Sequence, residues 1–177
     1  ETGLANKGHF LDVVAPMNSK IPESYQNVKL HTVDGEEQIS WQHQDYYSPV
    51  SIPNNSLITA MMEKALLIGK DADLILNFSY DWLPIWMTTN IDIPMAHLIS
   101  MGSESFIITN LIKKVHAVLP RNFAFHTYTQ ASDYPFIKSP NIVGNGFRLD
   151  NYSFQNCKNG PIAWVGRVAP EKGFCLL

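Results

Sequence analysis

Residues 57–99 read LITAMMEKALLIGKDADLILNFSYDWLPIWMTTNIDIPMAHLI. The first part repeats apolar side chains at the spacing of an amphipathic helix, and Gly69 is predicted to end that helix. Residues 73–78 are apolar on both faces, as in a buried parallel strand. A helix from Trp82 and a strand over residues 93–99 follow. This alternation predicts right-handed crossovers and a parallel sheet.

The alternation continues on both sides of this stretch. A helix over residues 103–118 is predicted to end before Pro120. Further predicted strands cover residues 10–15, 28–33, 123–126, 141–143 and 162–165. The sequence therefore predicts the α/β class, with a Rossmann-like, doubly wound and mainly parallel sheet.

Residues 35–53 interrupt this pattern. They are polar and aromatic, and they show no sustained period of apolar side chains. They are predicted to form a long surface loop. Loops longer than about 12 to 15 residues are more often lids or binding loops than plain connectors.

Composition limits the classes of partner. The chain has 177 residues, of which 45% are hydrophobic and 16% charged, and this excludes a disordered protein. Thirteen Lys and Arg residues against 16 Asp and Glu residues give a formal charge of −3. Such a weak field argues against nucleic acid or anionic lipid as the main partner.

The chain shows no sign of a membrane segment or of a secreted disulfide scaffold. No apolar run approaches the roughly 20 residues that cross a bilayer, and residues 1–20 do not resemble a signal peptide. Cys157 and Cys175 are the only cysteines, too few for a disulfide framework or a four-thiolate zinc site. We therefore expect a cytoplasmic protein with no integral membrane segment. No histidine has the spacing of a metal ligand, so we also expect no metal and no cofactor.

In parallel α/β sheets, ligands bind beyond the carboxyl ends of the strands. This rule selects residues 79–84, 97–103 and 166–173. The last of these reads GRVAPEKG, with the cations of Arg167 and Lys172 five residues apart in a glycine-containing turn. Such a turn could cradle a diphosphate. It could equally be a solvated turn with two surface cations, and spacing alone does not decide between these readings.

Two groups of motifs resemble a known family. Residues 166–173, preceded by NGFRL at 145–149, resemble the hinge and the first strand-turn of the second domain in family 4 glycosyltransferases of the GT-B fold. LNFSYDWLP at 76–84 and PMAHLISMGS at 94–103 are similar to the cyanobacterial UDP-glucose:tetrahydrobiopterin glucosyltransferase group. The resemblance spans nearly the whole chain, but residues 34–56 match no part of it.

The resemblance implies an activity. A member of this group would be a metal-independent, retaining hexosyltransferase that moves glucose from UDP-glucose to a pterin. Gly166, Arg167 and Lys172 would then hold the donor diphosphate, and His97 would face the transferred sugar as the catalytic residue. From the sequence alone, a histidine that ends an apolar run is more often a hydrogen-bonded core residue, and this alternative stays open.

An acceptor site is expected opposite the donor. A pterin is a flat heterocycle with a donor edge, so the Asp81 carboxylate could pair with it and Trp82 could stack on it. The remaining candidates for acceptor binding are Ser100, Met101, Gly102, Ser103 and Glu1. The alternative is that Asp81 caps a helix whose first turn places Trp82 in the core.

The resemblance also predicts a domain organisation. Residues 1–144 would be the acceptor-binding domain, residues 145–160 an interdomain hinge, and residues 161–177 the truncated start of the nucleotide-sugar domain. In the family, an initial strand precedes the residue matched by Glu1, and more helix separates Asn6 from Lys7. We therefore expect residues to be missing at both places, and we expect this fragment alone to be inactive. The alternatives are a family 4 transferase for a glycolipid or polysaccharide, and a non-catalytic module that binds a sugar or a nucleotide.

Overall fold

The computed structural model describes residues 2–22, 25–146, 153 and 160. The chain divides into two units, residues 1–145 and residues 146–177. Nearly all of the described residues belong to the first unit. The predicted start of a second domain at 161–177 lies outside the described residues, as does most of the predicted hinge, so the domain assignment stays a prediction.

A two-stranded parallel sheet comes first in the chain, after the short helix α1 (Thr2–Ala5). Its strands are β1 (Leu11–Pro16) and β2 (Val28–Val33), and both were predicted from alternating or continuous apolar runs. Helix α2 (Leu57–Gly69) packs against both strands. Gly69 is the last residue of this helix, and a Cβ there would lie 3.0 Å from Cδ1 of Ile75, so the glycine permits the close approach of the following strand.

A four-stranded parallel sheet forms the rest of this unit, in the strand order β3-β4-β5-β6. Helices α3 and α4 connect the first three strands, and α5 precedes the last. The elements are β3 (Ile75–Asn77), α3 (Trp82–Met87), β4 (Met95–Ile99), α4 (Phe106–Val118), β5 (Phe123–Phe125), α5 (Tyr128–Ala131) and β6 (Asn141–Ile142). The α/β class and the parallel arrangement are confirmed, and the arrangement is compatible with a Rossmann-like fold.

The strands form two sheets, whereas one continuous sheet was predicted. Within the described ranges, β1 pairs only with β2 and the outer edge of β3 has no partner strand. A strand belongs to a sheet only through hydrogen bonds to a neighbour, and apolar periodicity cannot report which neighbour is present. One face of β3 and its flanks also stays open, since Leu76 is 44% exposed and Phe78 is 60% exposed.

The core lies on the opposite face of the second sheet, against α4. Ile99 on β4 and the rings of β5 are buried with three side chains of α4 that recur at helical spacing. Those three side chains are Ile108, Ile112 and Val115. Each buried side chain of this kind contributes about 1.5 to 3 kcal/mol, so this contact stabilises the sheet that carries the candidate site.

Helix α4 begins three residues later than predicted, at Phe106. The side chain of Ser105 accepts a hydrogen bond from the backbone N–H of Ile108 and caps the helix. The hydroxyl of Ser103, the predicted start, lies 2.7 Å from the hydroxyl of Thr109 instead. Both residues are serines with the same intrinsic preference for a cap position, so the pattern could not separate them.

The prediction of a surface loop at residues 35–53 is wrong in part. Trp41, in a short 3-10 turn (Trp41–His43), is buried in the core of the second sheet. Further along the segment, the backbone carbonyl of Tyr46 accepts a hydrogen bond of 2.8 Å from the backbone N–H of Phe106. The segment is therefore held in place by a buried indole and by the start of α4, although it has no regular period of its own.

Candidate functional site

Three loops meet at the carboxyl edge of the second sheet. The hydroxyl of Tyr80, which follows β3, accepts a hydrogen bond of 3.2 Å from the backbone N–H of Glu104, which follows β4. The hydroxyl of Tyr134, which follows α5, approaches the carbonyl oxygens of Met101 and Gly102 at 3.1 and 2.9 Å. Tyr80 thus joins the two described segments that the strand-end rule selects, and Tyr134 joins the second of them to a loop that the rule does not select. We refer to residues 100–104 and Asp133 as the carboxyl-edge surface.

Four predicted acceptor residues lie on the carboxyl-edge surface. Ser100 is exposed, and Met101, Gly102 and Ser103 are half-buried. A Cβ at Gly102 would lie 2.6 Å from Oδ2 of Asp133 and 3.5 Å from Oε1 of Glu104, so two carboxylates flank this glycine. The absence of a side chain at Gly102 is what allows the Asp133 carboxylate to come so close.

The two carboxylates place negative charge at this edge of the sheet. Burial is the main cause that raises the pKa of Tyr134, and interactions with the Tyr80 hydroxyl and with the carboxylates of Asp133 and Glu104 raise it further. Tyr134 therefore stays a neutral hydrogen-bond donor, which suits its role in holding the loop after β4. Neither carboxylate is part of a salt bridge within the described ranges. The surface therefore presents acceptors of hydrogen bonds rather than cations.

His97 lies in the interior, beneath this edge. Its side chain on β4 is 1% exposed, and its ring stacks on Phe123 with 5.0 Å between the ring centroids. Nδ1 lies 3.0 Å from Nδ2 of Asn77, and Nε2 lies 2.7 Å from Oγ1 of Thr88. In this arrangement both ring nitrogens are occupied, so a contact of His97 with a sugar would require a side chain to move.

The partners of His97 determine its tautomer. Oγ1 of Thr88 donates its single hydrogen to the carbonyl oxygen of Pro84 at 2.8 Å, so it accepts the hydrogen bond from His97. The amide of Asn77 donates one hydrogen to the carbonyl oxygen of Ser79 and the other to Nδ1 of His97. The neutral ring with hydrogen on Nε2 satisfies every group. Burial lowers the pKa of His97 to about 4, so this neutral form persists near pH 7.

Asp81 also lies inside the fold. It is 2% exposed and caps α3, since Oδ1 accepts a hydrogen bond of 3.1 Å from the backbone N–H of Leu83. Its other oxygen accepts a hydrogen bond from the amide of Gln38, in the 35–53 segment. Burial raises the pKa of Asp81 to about 6, against the opposing effect of hydrogen bonds from the Leu83 and Trp82 backbone and of the Trp41 indole. Both carboxylate oxygens are thus occupied, and the acceptor role of Asp81 stays a prediction.

Trp82 occupies the first turn of α3, packs against the core and is half-buried. It also lines a groove between α3 and α4, together with Trp86 and Phe106. Its Nε1 is buried without a hydrogen-bond partner within the described part of the chain. The residues that line this groove do not include any residue of the 100–103 loop, so the structure does not bring Trp82 together with the other predicted acceptor residues in one cavity.

The remaining predicted site residues lie outside the described residues. They are Glu1 at the acceptor site and Gly166, Arg167 and Lys172 at the diphosphate site. Their roles stay predictions.

Sequence reasoning missed several polar residues of the region. Asn77 and Thr88 hold the imidazole of His97, and Asp133 and Glu104 flank Gly102. Asn77 ends a strongly apolar run, and a polar side chain that is even partly buried in such a place needs a hydrogen-bond partner, so the sequence held a signal for Asn77. Asp133 is remote in sequence from the loop after β4, and no local pattern indicates that contact.

In the part of the chain that the structure describes, no helix is both long enough and apolar enough to span a membrane. The same residues contain no cluster of three or more His, Cys, Asp or Glu side chains that could hold a metal ion. The predicted absence of a metal stays a prediction.

Comparison with protein-family models and with curated proteins gave no match to this chain.

Proposed function

We propose that this chain is the acceptor-side domain of a retaining glycosyltransferase of the GT-B type, which transfers glucose from UDP-glucose to a pterin. The observation that carries the proposal is the meeting of three loops at the carboxyl edge of a parallel sheet, with a solvent-facing surface between them. Small-molecule substrates of parallel α/β domains bind at such edges. The choice of glucose and of a pterin rests on the sequence resemblance.

The carboxyl-edge surface has the chemistry to hold a pterin. A pterin presents adjacent N–H groups on its pyrimidine edge, and a carboxylate can accept two parallel hydrogen bonds from such an edge. We assign this recognition to Asp133, because its carboxylate is exposed beside Gly102 whereas that of Asp81 is buried. Ser100 and Ser103 would bond the polar substituents of the ring.

In this proposal His97 is a positioning residue. It links the middle of β4 to the end of β3 through Asn77 and anchors α3 through Thr88. A neutral imidazole with a hydrogen bond at each ring nitrogen holds the loop that follows β4 without exchanging a proton with the substrate. The contribution of His97 to transfer is therefore the placement of residues 100–103.

The bonds, the electron pair and the proton of the transfer step can all be accounted for with the donor, the acceptor and side chains of this protein. The bond between C1 of glucose and the phosphate oxygen breaks, and its electron pair leaves with UDP. A hydroxyl oxygen of the acceptor forms the new bond to C1 on the same face, and its proton moves to the leaving phosphate oxygen. Arg167 and Lys172 would neutralise the charge that develops on the diphosphate, which is the largest electrostatic requirement of the step.

The experiment that tests the proposal is incubation of the full-length protein with UDP-glucose, tetrahydrobiopterin and a metal chelator. Release of UDP that depends on the pterin is expected, together with loss of release in Arg167→Gln and retention of release in Arg121→Gln, an exposed arginine of the first unit. Release of UDP with a lipid or a polysaccharide, and not with the pterin, would identify that molecule as the acceptor. No release with any acceptor, combined with binding of UDP-glucose, would indicate a non-catalytic module.

A further inference from the structure

A groove runs between α3 and α4. Its volume is about 440 Å³, and it includes Trp82 and Trp86 from α3 and Phe106, Asn110, Leu111 and Lys114 from α4. We call it the α3–α4 groove. None of its lining residues belongs to the carboxyl-edge surface. Ligand pockets for small molecules have volumes of about 300 to 1,000 Å³, so the size suits a ligand of one or two rings.

The α3 side of the groove is aromatic. Trp82 and Trp86 are four residues apart, so their indoles lie on one face of α3. Neither indole is in contact with another aromatic ring of the described residues, whereas Phe106 contacts the rings of Tyr46 and Tyr47. Trp86 is 46% exposed and Phe106 is 45% exposed. This apolar area is left in water, and a flat ring laid on it would gain both burial and stacking.

The polarity of the groove changes along α4. Phe106, Asn110 and Lys114 follow each other at intervals of four residues and therefore share one face of the helix, over a length of about 12 Å. Of the described residues that line the groove, only Lys114 is charged, and it makes no salt bridge to another described residue. Along α4, the lining of the groove thus changes from the ring of Phe106, through the amide of Asn110, to the ammonium of Lys114.

We propose that the α3–α4 groove binds a small aromatic carboxylate. The ring stacks on the indole of Trp86, the carboxylate pairs with the ammonium of Lys114, and the amide of Asn110 donates a hydrogen bond to the same carboxylate. A single ammonium suits one carboxylate, whereas an anionic membrane surface requires a cluster of several basic side chains. Among the described residues, the site shares none with the carboxyl-edge surface.

Calorimetric titration of the full chain with 2-naphthoate tests this assignment, with the neutral 2-naphthalenemethanol as the matched probe. We expect saturable binding of one naphthoate per chain. Lys114→Met should weaken naphthoate binding about tenfold, the effect of losing roughly 1.4 kcal/mol of ion pairing, and should leave the binding of the alcohol unchanged. Trp86→Leu should weaken both probes, because it removes the stacking surface.

Lys113→Met is the control. Lys113 is the neighbouring lysine on α4, is exposed and does not line the groove, so its loss should change neither titration. An equal loss in both lysine variants would overturn the proposal, since naphthoate would then respond only to overall charge. The absence of saturation would overturn it as well. Self-association in light scattering that Trp86→Leu abolishes, without ligand binding, would assign the groove to a second copy of the chain instead. Thermal unfolding of each variant, monitored by circular dichroism, identifies any loss that comes from misfolding.

Discussion

At the scale of single residues, two buried titratable groups give the stability of the fold opposite dependences on pH. Burial raises the pKa of Asp81 from 3.8 to about 6 and lowers that of His97 from 6.5 to about 4. Asp81 stabilises the fold below pH 3.8, and this contribution is lost as the pH rises through 6. His97 stabilises the fold above pH 6.5, and this contribution is lost as the pH falls through 4. Between pH 4 and 6 the two dependences therefore nearly cancel.

Asp81→Asn removes one of these dependences. Asparagine is an equally good helix cap, so the bond to Leu83 is retained. The shift of this pKa from 3.8 to about 6 corresponds to about 3 kcal/mol over the whole titration, of which most falls between pH 4 and pH 7. The free energy of unfolding of the variant relative to the wild type should therefore be about 2 kcal/mol higher at pH 7 than at pH 4. Urea unfolding at a series of pH values measures this difference. If the stability difference between the variant and the wild type did not change with pH, the raised pKa of Asp81 would be contradicted.

Thr88→Val tests the hydrogen bonds around His97. The substitution keeps the shape of the side chain but leaves the Nε2–H of His97 and the carbonyl of Pro84 without their partner. A buried group without a partner costs about 1 to 3 kcal/mol, so we expect a loss of about 2 kcal/mol in the free energy of unfolding. Thr89→Val, at the next and exposed position, should change stability by no more than about 0.5 kcal/mol. Equal effects would contradict the network.

At the scale of elements, helix caps decide where the site loops end. Ser105 caps α4 with its side chain, whereas Ser56, before α2, makes no such bond. Ser105→Ala should therefore lower the free energy of unfolding by about 1 kcal/mol, and Ser56→Ala should lower it by a few tenths at most. Urea unfolding of the two variants compares them directly. A larger loss at Ser56 would contradict the assignment of the caps.

The order of elements was predictable because helical and strand periods differ strongly in residues 57–99. The boundaries of the elements were less predictable, since Ser103 and Ser105 are equally good candidates for the N-cap of α4. The burial of Trp41 was not predictable, because residues 35–53 have no period and the indole enters the core through a contact that is remote in sequence.

At the scale of the whole molecule, the sequence indicated one edge of the sheet for the candidate site but only part of the side chains that lie there. The strand-end rule located residues 100–103, which lie on the carboxyl-edge surface. It could not show that Asp81 is buried or that Asp133 takes a place beside Gly102, because both depend on how distant segments pack. A resemblance in motifs likewise transfers a role to a position without showing whether that position faces a substrate.

The most direct test of an acceptor site on the carboxyl-edge surface is the KM for tetrahydrobiopterin, measured in the full-length protein with UDP-glucose. Asp133→Asn should raise this KM about tenfold, the cost of roughly 1.4 kcal/mol of charged hydrogen bonding, and should leave the KM for UDP-glucose unchanged. Asp71→Asn, at an exposed position outside this surface, is the matched control and should alter neither constant. An unchanged pterin KM in Asp133→Asn, or an equal rise in both variants, would contradict the account.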